Sequence, residues 1–127
     1  MRVTAKTIAI LLGSAGLALL PSNAAGQFNN PPTVGNNSFS VRICQEKVID
    51  LTSNDSDPEG NYPLTVTSVG TTALGSFYIS SASSVTFYAA DRTGGDTVPY
   101  TVEDSLGASA SGQISIGVFA RPNEQCA

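Results

Sequence analysis

Short stretches in which apolar and polar residues alternate restrict the fold of this chain more than any other feature. Three of them, at 85–89, 98–102 and 114–118, place an apolar residue at every second position. Such stretches, rich in Val, Ile, Thr, Tyr and Phe and bounded by Gly, Ser, Asp or Asn, are typical of strands with one buried face. Beyond the N-terminal segment, no stretch has the 3.6-residue period of an amphipathic helix. The sequence therefore predicts an all-β fold.

The number and spacing of the predicted strands indicate how they are arranged. Seven are predicted, at 38–44, 46–52, 63–69, 75–80, 85–90, 97–103 and 112–119. Seven short strands within about a hundred residues are typical of a Greek-key, immunoglobulin-like (Ig-like) β-sandwich. Tyr100 lies two residues before Val102 in the sixth strand, where such folds often have a corner tyrosine. Pro99 has no N–H group, so its nitrogen must point away from any neighbouring strand or lie at a sheet edge.

The N-terminal segment has the layout of a secretory signal peptide. Arg2 and Lys6 precede a short apolar run at 7–20, and small residues at 22–24 supply a cleavage site. The apolar run is too short to span a bilayer, and no second one occurs, so we expect no membrane span. The alternative is an N-terminal helix buried in the mature domain. We expect secretion to the periplasm or the cell exterior, with a signal peptide at 1–25, a polar lead-in or linker at 26–37 and a sandwich domain at 38–127.

Charge and composition exclude several classes of function. The formal net charge is −4, and loss of Arg2 and Lys6 with the signal would lower it by two further units. A chain this acidic cannot bind phosphate backbones through charge, which excludes nucleic acid as a partner. The chain has no His, which excludes Ser–His–Asp, Cys–His and His-ligated zinc chemistry. Carboxylate pairs can perform acid–base chemistry, but nothing indicates a deep pocket, so we expect no enzyme.

A disulfide between the only two cysteines, Cys44 and Cys126, is the default in an oxidising compartment. It would close a loop of about eighty residues, which the chain-entropy model credits with roughly 4–5 kcal/mol. The predicted topology supports the pairing, because the ends of the first and last strands lie at the same end of the sandwich. The alternatives are two free thiols and an intermolecular bridge through Cys126.

The turn at 54–61 (NDSDPEGN) is a candidate metal site. Asp55, Asp57 and Glu59 place hard oxygen ligands at alternate positions, as Ca²⁺ requires. Asp104, in the turn between the sixth and seventh strands, falls at the same end of the predicted sandwich. The alternative is a turn without a metal, since Asp-Pro and Glu-Gly are ordinary turn formers.

Several pieces of the chain together resemble the bacterial cadherin-like, Ig-like repeat domains of surface adhesins. They are an entry at Pro31-Pro32, the stretch IDLTSNDSDPEGNYPLTVTSV and the stretch PYTVEDSLGASASGQISI. The resemblance covers residues 30–118, nearly the whole predicted mature chain. It implies an Ig-like sandwich and Ca²⁺ at the acidic turn, with Asp55, Asp57, Glu59 and Asp104 as candidate ligands.

The chain differs from that family in three ways. Asn61, a further candidate ligand, stands where relatives often have Asp, which lowers the charge of the site. The domain is expected to be single, whereas relatives form tandem arrays. The cysteine pair is not part of the usual pattern and suggests a unit that is stable alone.

Three functions fit these features. The leading hypothesis is a secreted, non-catalytic structural or adhesion module that binds Ca²⁺ at one pole and contacts a protein or glycan on a cell surface or matrix. The second is a self-assembling extracellular fibre subunit, in which the segment 27–37 adds a strand to a neighbour's sheet edge. The third is a glycan-binding module that uses Tyr78 and Tyr88, predicted to face outward as a diagonal pair. The alternative for this pair is ordinary packing on the sheet surface.

Overall fold

The computed structural model describes residues 28–126, which form two β-sheets. The seven strands are β1 Asn37–Arg42, β2 Glu46–Asp50, β3 Thr65–Val69, β4 Gly75–Ile79, β5 Ser84–Ala89, β6 Gly94–Glu103 and β7 Ser109–Phe119. The predicted signal peptide at 1–25 lies outside the described residues. Within the described part of the chain, no helix is long and apolar enough to cross a membrane.

The two sheets have the connectivity of an Ig-like sandwich. One sheet has the order β1-β7-β6-β3 and the other has the order β2-β5-β4. Strand β1 pairs with β7 in parallel, and every other neighbouring pair is antiparallel. The β4–β5 and β6–β7 connections are hairpins within one sheet, and the other four connections cross between the sheets, a connectivity typical of a Greek-key sandwich. The prediction of an all-β sandwich of seven strands is confirmed.

The alternating apolar residues form the core between the sheets. Every apolar position of the three clearest stretches is buried: Val85, Phe87, Ala89, Val98, Tyr100, Val102, Ile114, Ile116 and Val118. Phe87 lies at the centre of an aromatic cluster, with its ring centroid 5.4 Å from that of Phe39 and 4.7 Å from that of Phe77. Since Phe39 belongs to the other sheet, this cluster joins the two layers.

Pro99 lies in a central strand without interrupting its ladders. Its carbonyl accepts a 2.8 Å hydrogen bond from the backbone nitrogen of Gly70, directly after the end of β3. The nitrogen and carbonyl of one strand residue point to the same side, so the Pro99 nitrogen also faces the space beyond β3. The ring occupies that space: a Cβ added to Gly70 would lie 2.8 Å from Pro99 Cδ.

The strand directions give the sandwich two ends with different chemistry. The β2–β3 loop, the β4–β5 turn and the β6–β7 turn lie at one end, here called the acidic pole. The β1–β2 turn and the segment after β7 lie at the other end, here called the disulfide pole. Cys44 and Cys126 are bonded there with their Cα atoms 5.7 Å apart, across a sequence separation of 82. The predicted disulfide is therefore present and joins the C-terminal segment to the end of β1.

A salt bridge reinforces the disulfide pole. Arg42 Nη2 lies 3.1 Å from Glu124 Oε2, and the other oxygen of Glu124 accepts a 2.9 Å bond from the backbone nitrogen of Arg121. The Arg121 amide and the Arg42 guanidinium together hold the pKa of Glu124 below its ordinary value. The C-terminal segment is thus fixed by charge and by hydrogen bonds as well as by the covalent bond.

Candidate functional site

The predicted ligand residues all lie at the acidic pole. Asp55, Asp57, Glu59 and Asn61 belong to the β2–β3 loop, and Asp104 begins the β6–β7 turn. The sandwich brings these two segments together because β2 and β6 both end at this pole. The contacts below divide the predicted ligands into two groups.

Asp57 is buried inside its own loop. It is 7% exposed, and its Oδ2 accepts hydrogen bonds from the backbone nitrogens of Glu59 at 3.0 Å and Asn61 at 2.9 Å. Gly60, with a φ of 77°, provides the left-handed backbone that closes this turn. The other oxygen, Oδ1, is buried and has no hydrogen-bond partner among the described residues. One side of this carboxylate is thus satisfied by the turn, and the other is not.

Asp104 is arranged in the same way in the opposite turn. It is 4% exposed, and its Oδ1 accepts bonds from the backbone nitrogens of Leu106 at 2.9 Å and Ala108 at 3.0 Å. Its Oδ2 is buried and finds no partner within residues 28–126. Burial alone would raise the pKa of Asp104, but the donated hydrogen bonds, including one from Asn29, outweigh it and lower the pKa. Asp104 is therefore held in its charged form.

Two asparagines connect these buried carboxylates. Asn61, whose backbone nitrogen binds Asp57, also donates from its side chain to Asn29 Oδ1 at 2.9 Å. Asn29 in turn donates to Asp104 Oδ1 at 3.3 Å. The backbone nitrogen of Ser105 donates to the Asn61 carbonyl at 3.0 Å, which joins the two turns directly. Asp57, Asn61 and Asp104 thus belong to one polar network, which Asn29 completes.

Asp55 and Glu59 contact the segment that precedes β1. Asp55 Oδ1 accepts a 2.8 Å bond from the backbone nitrogen of Gly35, and Glu59 accepts bonds from the backbone and side chain of Asn30. Burial, together with the nearby charge of Asp50, raises the pKa of Asp55 despite the Gly35 bond.

The predicted carboxylates do not gather into a three-acid cluster. In the described part of the chain, three Cys, Asp or Glu ligand atoms lie within 4.8 Å of one another only at Cys44, Asp91 and Cys126. Both sulfurs of that group are in the disulfide, which leaves one carboxylate. A metal at the acidic pole would therefore depend on the Asp57–Asp104 network and on uncharged oxygens around it.

The docked lead-in, residues 28–36, supplies contacts that the sequence did not indicate. Thr33 and Ser56 form an antiparallel bridge with backbone bonds of 2.7 and 3.0 Å. Asn36 accepts a 3.0 Å bond from the Asn54 side chain and a 3.1 Å bond from the Gln113 nitrogen. The only signal for this docking was the abundance of Asn in the segment, since Asn often binds backbone groups.

An open groove of about 410 Å³ lies at the acidic pole between the β2–β3 loop and the β4–β5 turn. Its walls include Asp55, Tyr62, Leu64 and Ala82. The backbone nitrogen of Val66 donates to the Ala82 carbonyl at 2.8 Å, which fixes the turn against the start of β3. The Tyr62 side chain is 54% exposed, so its ring forms an accessible wall.

Tyr78 and Tyr88 form an exposed pair on the outer face of the β2-β5-β4 sheet. They are 52% and 37% exposed, with ring centroids 5.2 Å apart and hydroxyl oxygens 2.7 Å apart. Tyr78 lies opposite Thr86 and Tyr88 lies opposite Ser76, which makes the pair diagonal. The hydrogen bond to Tyr78, with smaller effects of burial and of Glu46, raises the pKa of Tyr88 to about 12.

Two solved structures are similar to the chain at low sequence identity. A nucleoside hydrolase-related protein from Saccharophagus degradans, described as associated with carbohydrate metabolism, is 18% identical with a TM-score of 0.51; the match covers 72% of this chain and 26% of that one. The endo-fucoidan hydrolase MfFcnA4 of glycoside hydrolase family 107 is 18% identical with a TM-score of 0.49, covering 73% of this chain and 14% of that one. The chain thus spans about a quarter or less of each protein. At this identity, the first match indicates the fold alone.

A family model matches most of the chain. No curated protein sequence matches it, but a model described as bacterial Ig domain matches residues 29–117. The disulfide and the Ig-like sandwich are features of an extracellular domain. Since the match spans most of the chain and the seven strands have the corresponding topology, the chain belongs to the bacterial Ig domain family.

Proposed function

We propose that the chain is an extracellular, non-catalytic structural or adhesion module whose acidic pole binds Ca²⁺ through Asp57 and Asp104. One observation carries the proposal: each of these carboxylates is at least nine-tenths buried and has an oxygen with no hydrogen-bond partner in the described structure. A buried, ionised oxygen without a partner is costly. A divalent cation bound to both oxygens would remove this cost at both residues.

The rest of the network fits a hard cation. Ca²⁺ takes six to eight oxygen ligands from carboxylates, amide or backbone carbonyls and water. The side-chain oxygen of Asn29 and the backbone carbonyl of Asn61 lie on the network that joins Asp57 to Asp104. Because the asparagines are uncharged, the site would have fewer negative charges than one with Asp at position 61, and we expect weaker affinity.

Thermal unfolding with Ca²⁺ and then with chelator tests the metal site. A ligand present at a hundredfold excess over its Kd adds about 2.7 kcal/mol to the free energy of unfolding. For a domain of this size, that raises Tm by roughly 10–20 °C. Asp57→Asn and Asp104→Asn should each reduce the shift strongly, because Asn keeps the shape of Asp without its charge.

Asp50→Asn is the matched control, because Asp50 lies at the same pole outside the network. Its Oδ1 accepts a bond from the Thr52 nitrogen that Asn can also accept. This variant should keep the full shift. A wild-type Tm that is unchanged by millimolar Ca²⁺ would mean that the acidic pole consists of turns without a metal site.

The contacts of the docked lead-in favour a self-contained module over the fibre subunit. Thr33 pairs with Ser56 of the same chain, and Asn30 binds Glu59. Strand addition to a neighbour would first require the loss of these bonds. Light scattering after size exclusion, with and without Ca²⁺, compares the two: a monomer at high concentration supports the module, and concentration-dependent polymers support the fibre.

Glycan binding at the tyrosine pair is a second candidate function. Two adjacent, half-exposed rings give a platform on which a sugar ring can stack, and their mutually bonded hydroxyls fix its geometry. A glycan array with the wild type and with Tyr78→Ser/Tyr88→Ser tests this candidate. Glycan binding that is unchanged by the double substitution, or no glycan binding by the wild type, would contradict this candidate function.

A further inference from the structure

The groove between the β2–β3 loop and the β4–β5 turn is separate from the polar network of Asp57 and Asp104. Asp57 and Asp104 are not among its lining residues, whereas Asp55, Tyr62 and Pro63 are. It combines an aromatic wall, an aliphatic floor at Leu64 and a carboxylate. A groove with this lining suits a flat ligand that is apolar on its faces and charged at its edge.

Asp55 gives the groove a negative charge that is poorly compensated. One oxygen binds the Gly35 nitrogen, and the other is shielded from solvent and has no partner within residues 28–126. Asp50, next to it, is close enough to oppose its ionisation. Two neighbouring carboxylates, one of them with incomplete hydrogen bonding, favour a cation beside them.

Tyr62 gives the groove a ring that is fixed in place. Its hydroxyl accepts a 3.1 Å hydrogen bond from the backbone nitrogen of Asp57, so one end of the side chain is tethered while the ring stays exposed. A fixed aromatic face binds a planar guanidinium by stacking and by cation–π attraction. An ammonium group gains less, because it is more strongly hydrated and cannot stack.

The charges of the domain make the whole pole attractive to a cation. The acids at or next to this pole are Asp50, Asp55, Asp57, Glu59, Glu103 and Asp104. The Lys and Arg residues of the described chain lie at the opposite pole: Arg42, Lys47, Arg92 and Arg121. No cation of the described chain thus lies at the acidic pole, and a positively charged partner would be steered towards it.

We propose that this groove binds an arginine side chain of a partner protein, with the guanidinium stacked on Tyr62 and attracted by the charge of Asp55. The acidic pole then has two separate tasks: Asp57 and Asp104 hold the proposed metal, and the groove beside them holds the partner. The groove proposal requires no Ca²⁺, so the groove and the metal site can be tested independently.

NMR titration of the protein in chelator, with a capped Gly-Arg-Gly peptide as probe, tests the proposal. The backbone amide signals of Tyr62, Leu64, Ala82 and Ser83 should shift together and saturate. The matched probe is the same peptide with citrulline, which has the shape of arginine without its charge. We expect the citrulline peptide to bind at least tenfold more weakly, and the affinity for the arginine peptide to fall as salt is added.

Substitutions test separately what the charge and the ring of the groove contribute to binding. Asp55→Asn keeps an acceptor for the Gly35 nitrogen but removes the charge, and should lower the affinity at least tenfold. Tyr62→Phe keeps the ring and should bind as the wild type does, whereas Tyr62→Leu should bind several-fold more weakly. Glu46→Gln, at the disulfide pole, removes an equal charge far from the groove and should have no effect.

Three outcomes would overturn the proposal. Equal binding of the two peptides would indicate a groove for a neutral ligand. Unchanged affinity in Asp55→Asn would place the arginine elsewhere on the acidic surface. Shifts of the same amides with protein concentration alone would identify a second copy of the chain as the occupant.

Discussion

The hydroxyl of Tyr100 donates a 2.7 Å hydrogen bond to the carbonyl of Gly35. The same oxygen accepts a 2.8 Å bond from the Asn37 side chain, and the tyrosine is only 1% exposed. A residue at the centre of the core thus holds the docked lead-in in place. Packing of the core and the position of the lead-in are therefore coupled.

Replacing Tyr100 by Phe should destabilise the domain by about 1–3 kcal/mol. The ring keeps its packing, but the Gly35 carbonyl and the Asn37 amide lose a buried partner. Urea unfolding measures the change. Tyr78→Phe is the control: it also removes a tyrosine hydroxyl, here one bonded to Tyr88 at an exposed position, and should cost less than about 0.5 kcal/mol. Equal losses in the two variants would contradict a special role for Tyr100.

Stability should fall as the pH rises from about 10 to 12. Burial, together with the charge of Asp55, raises the pKa of Tyr100 to about 12, whereas an unfolded tyrosine ionises near pH 10. Between these values the unfolded state has lost a proton that the folded state keeps, so stability declines with rising pH. Urea midpoints across this range should show the decline, and Tyr100→Phe should reduce it.

Gly112→Ala should displace the docked lead-in. A Cβ at Gly112 would lie 2.6 Å from Val34 Cγ1 and 2.9 Å from both the Gly35 carbonyl and Tyr100 Cε1. We expect a loss of about 1–3 kcal/mol and faster proteolysis of the lead-in. Gly117→Ala, in the same strand, meets its nearest atom, Ser40 Oγ, at 3.4 Å and should be tolerated. A lead-in equally protected in both variants would show that it is not held at Gly112.

Reduction of the disulfide should lower the free energy of unfolding by up to about 4.5 kcal/mol. This figure follows from the chain-entropy model for the 82-residue separation of Cys44 and Cys126. Chemical unfolding with and without reductant measures it. The Cys44→Ser/Cys126→Ser variant should match the reduced protein and should not respond to reductant. A response in that variant would trace the effect to something other than this bond.

The pKa of Glu124 should depend on the same bond. The Arg121 amide and the Arg42 guanidinium lower it in the closed C-terminal segment. Reduction releases this segment, so the pKa should rise towards that of a free glutamate. Carboxyl NMR with and without reductant measures the change, and Glu46, outside the segment, is the reference. An unchanged value would mean that the salt bridge alone holds the segment.

The strands could be predicted because one face of each is apolar. Several strand boundaries differ from the predictions. Strands β6 and β7 each begin three residues earlier than predicted, since Gly94 pairs with Val118 and Glu103 with Ser109 although the added residues are mostly small or polar. Strand β1 ends at Arg42 rather than at residue 44, because Cys44 has a φ of 64° and leaves the extended conformation.

The candidate site could be predicted only in part. Topology and the turn motif correctly placed Asp57 and Asp104 at one pole. The role of Asn29 was not predictable, because its partners Asn61 and Asp104 are 32 and 75 residues away and no periodic pattern marks such bonds. The groove was missed for the same reason, since its walls come from two separate loops.

The position of the disulfide determines how the domain would respond to a stretching force. Cys126 is bonded to Cys44, two residues beyond the end of β1. A pull between residues 28 and 126 would therefore run along the docked lead-in and β1 and then leave through the sulfur atoms. The rest of the sandwich lies inside the covalent loop and is not part of this covalent path. Because β1 is already extended, the domain would act as a nearly inextensible mechanical link.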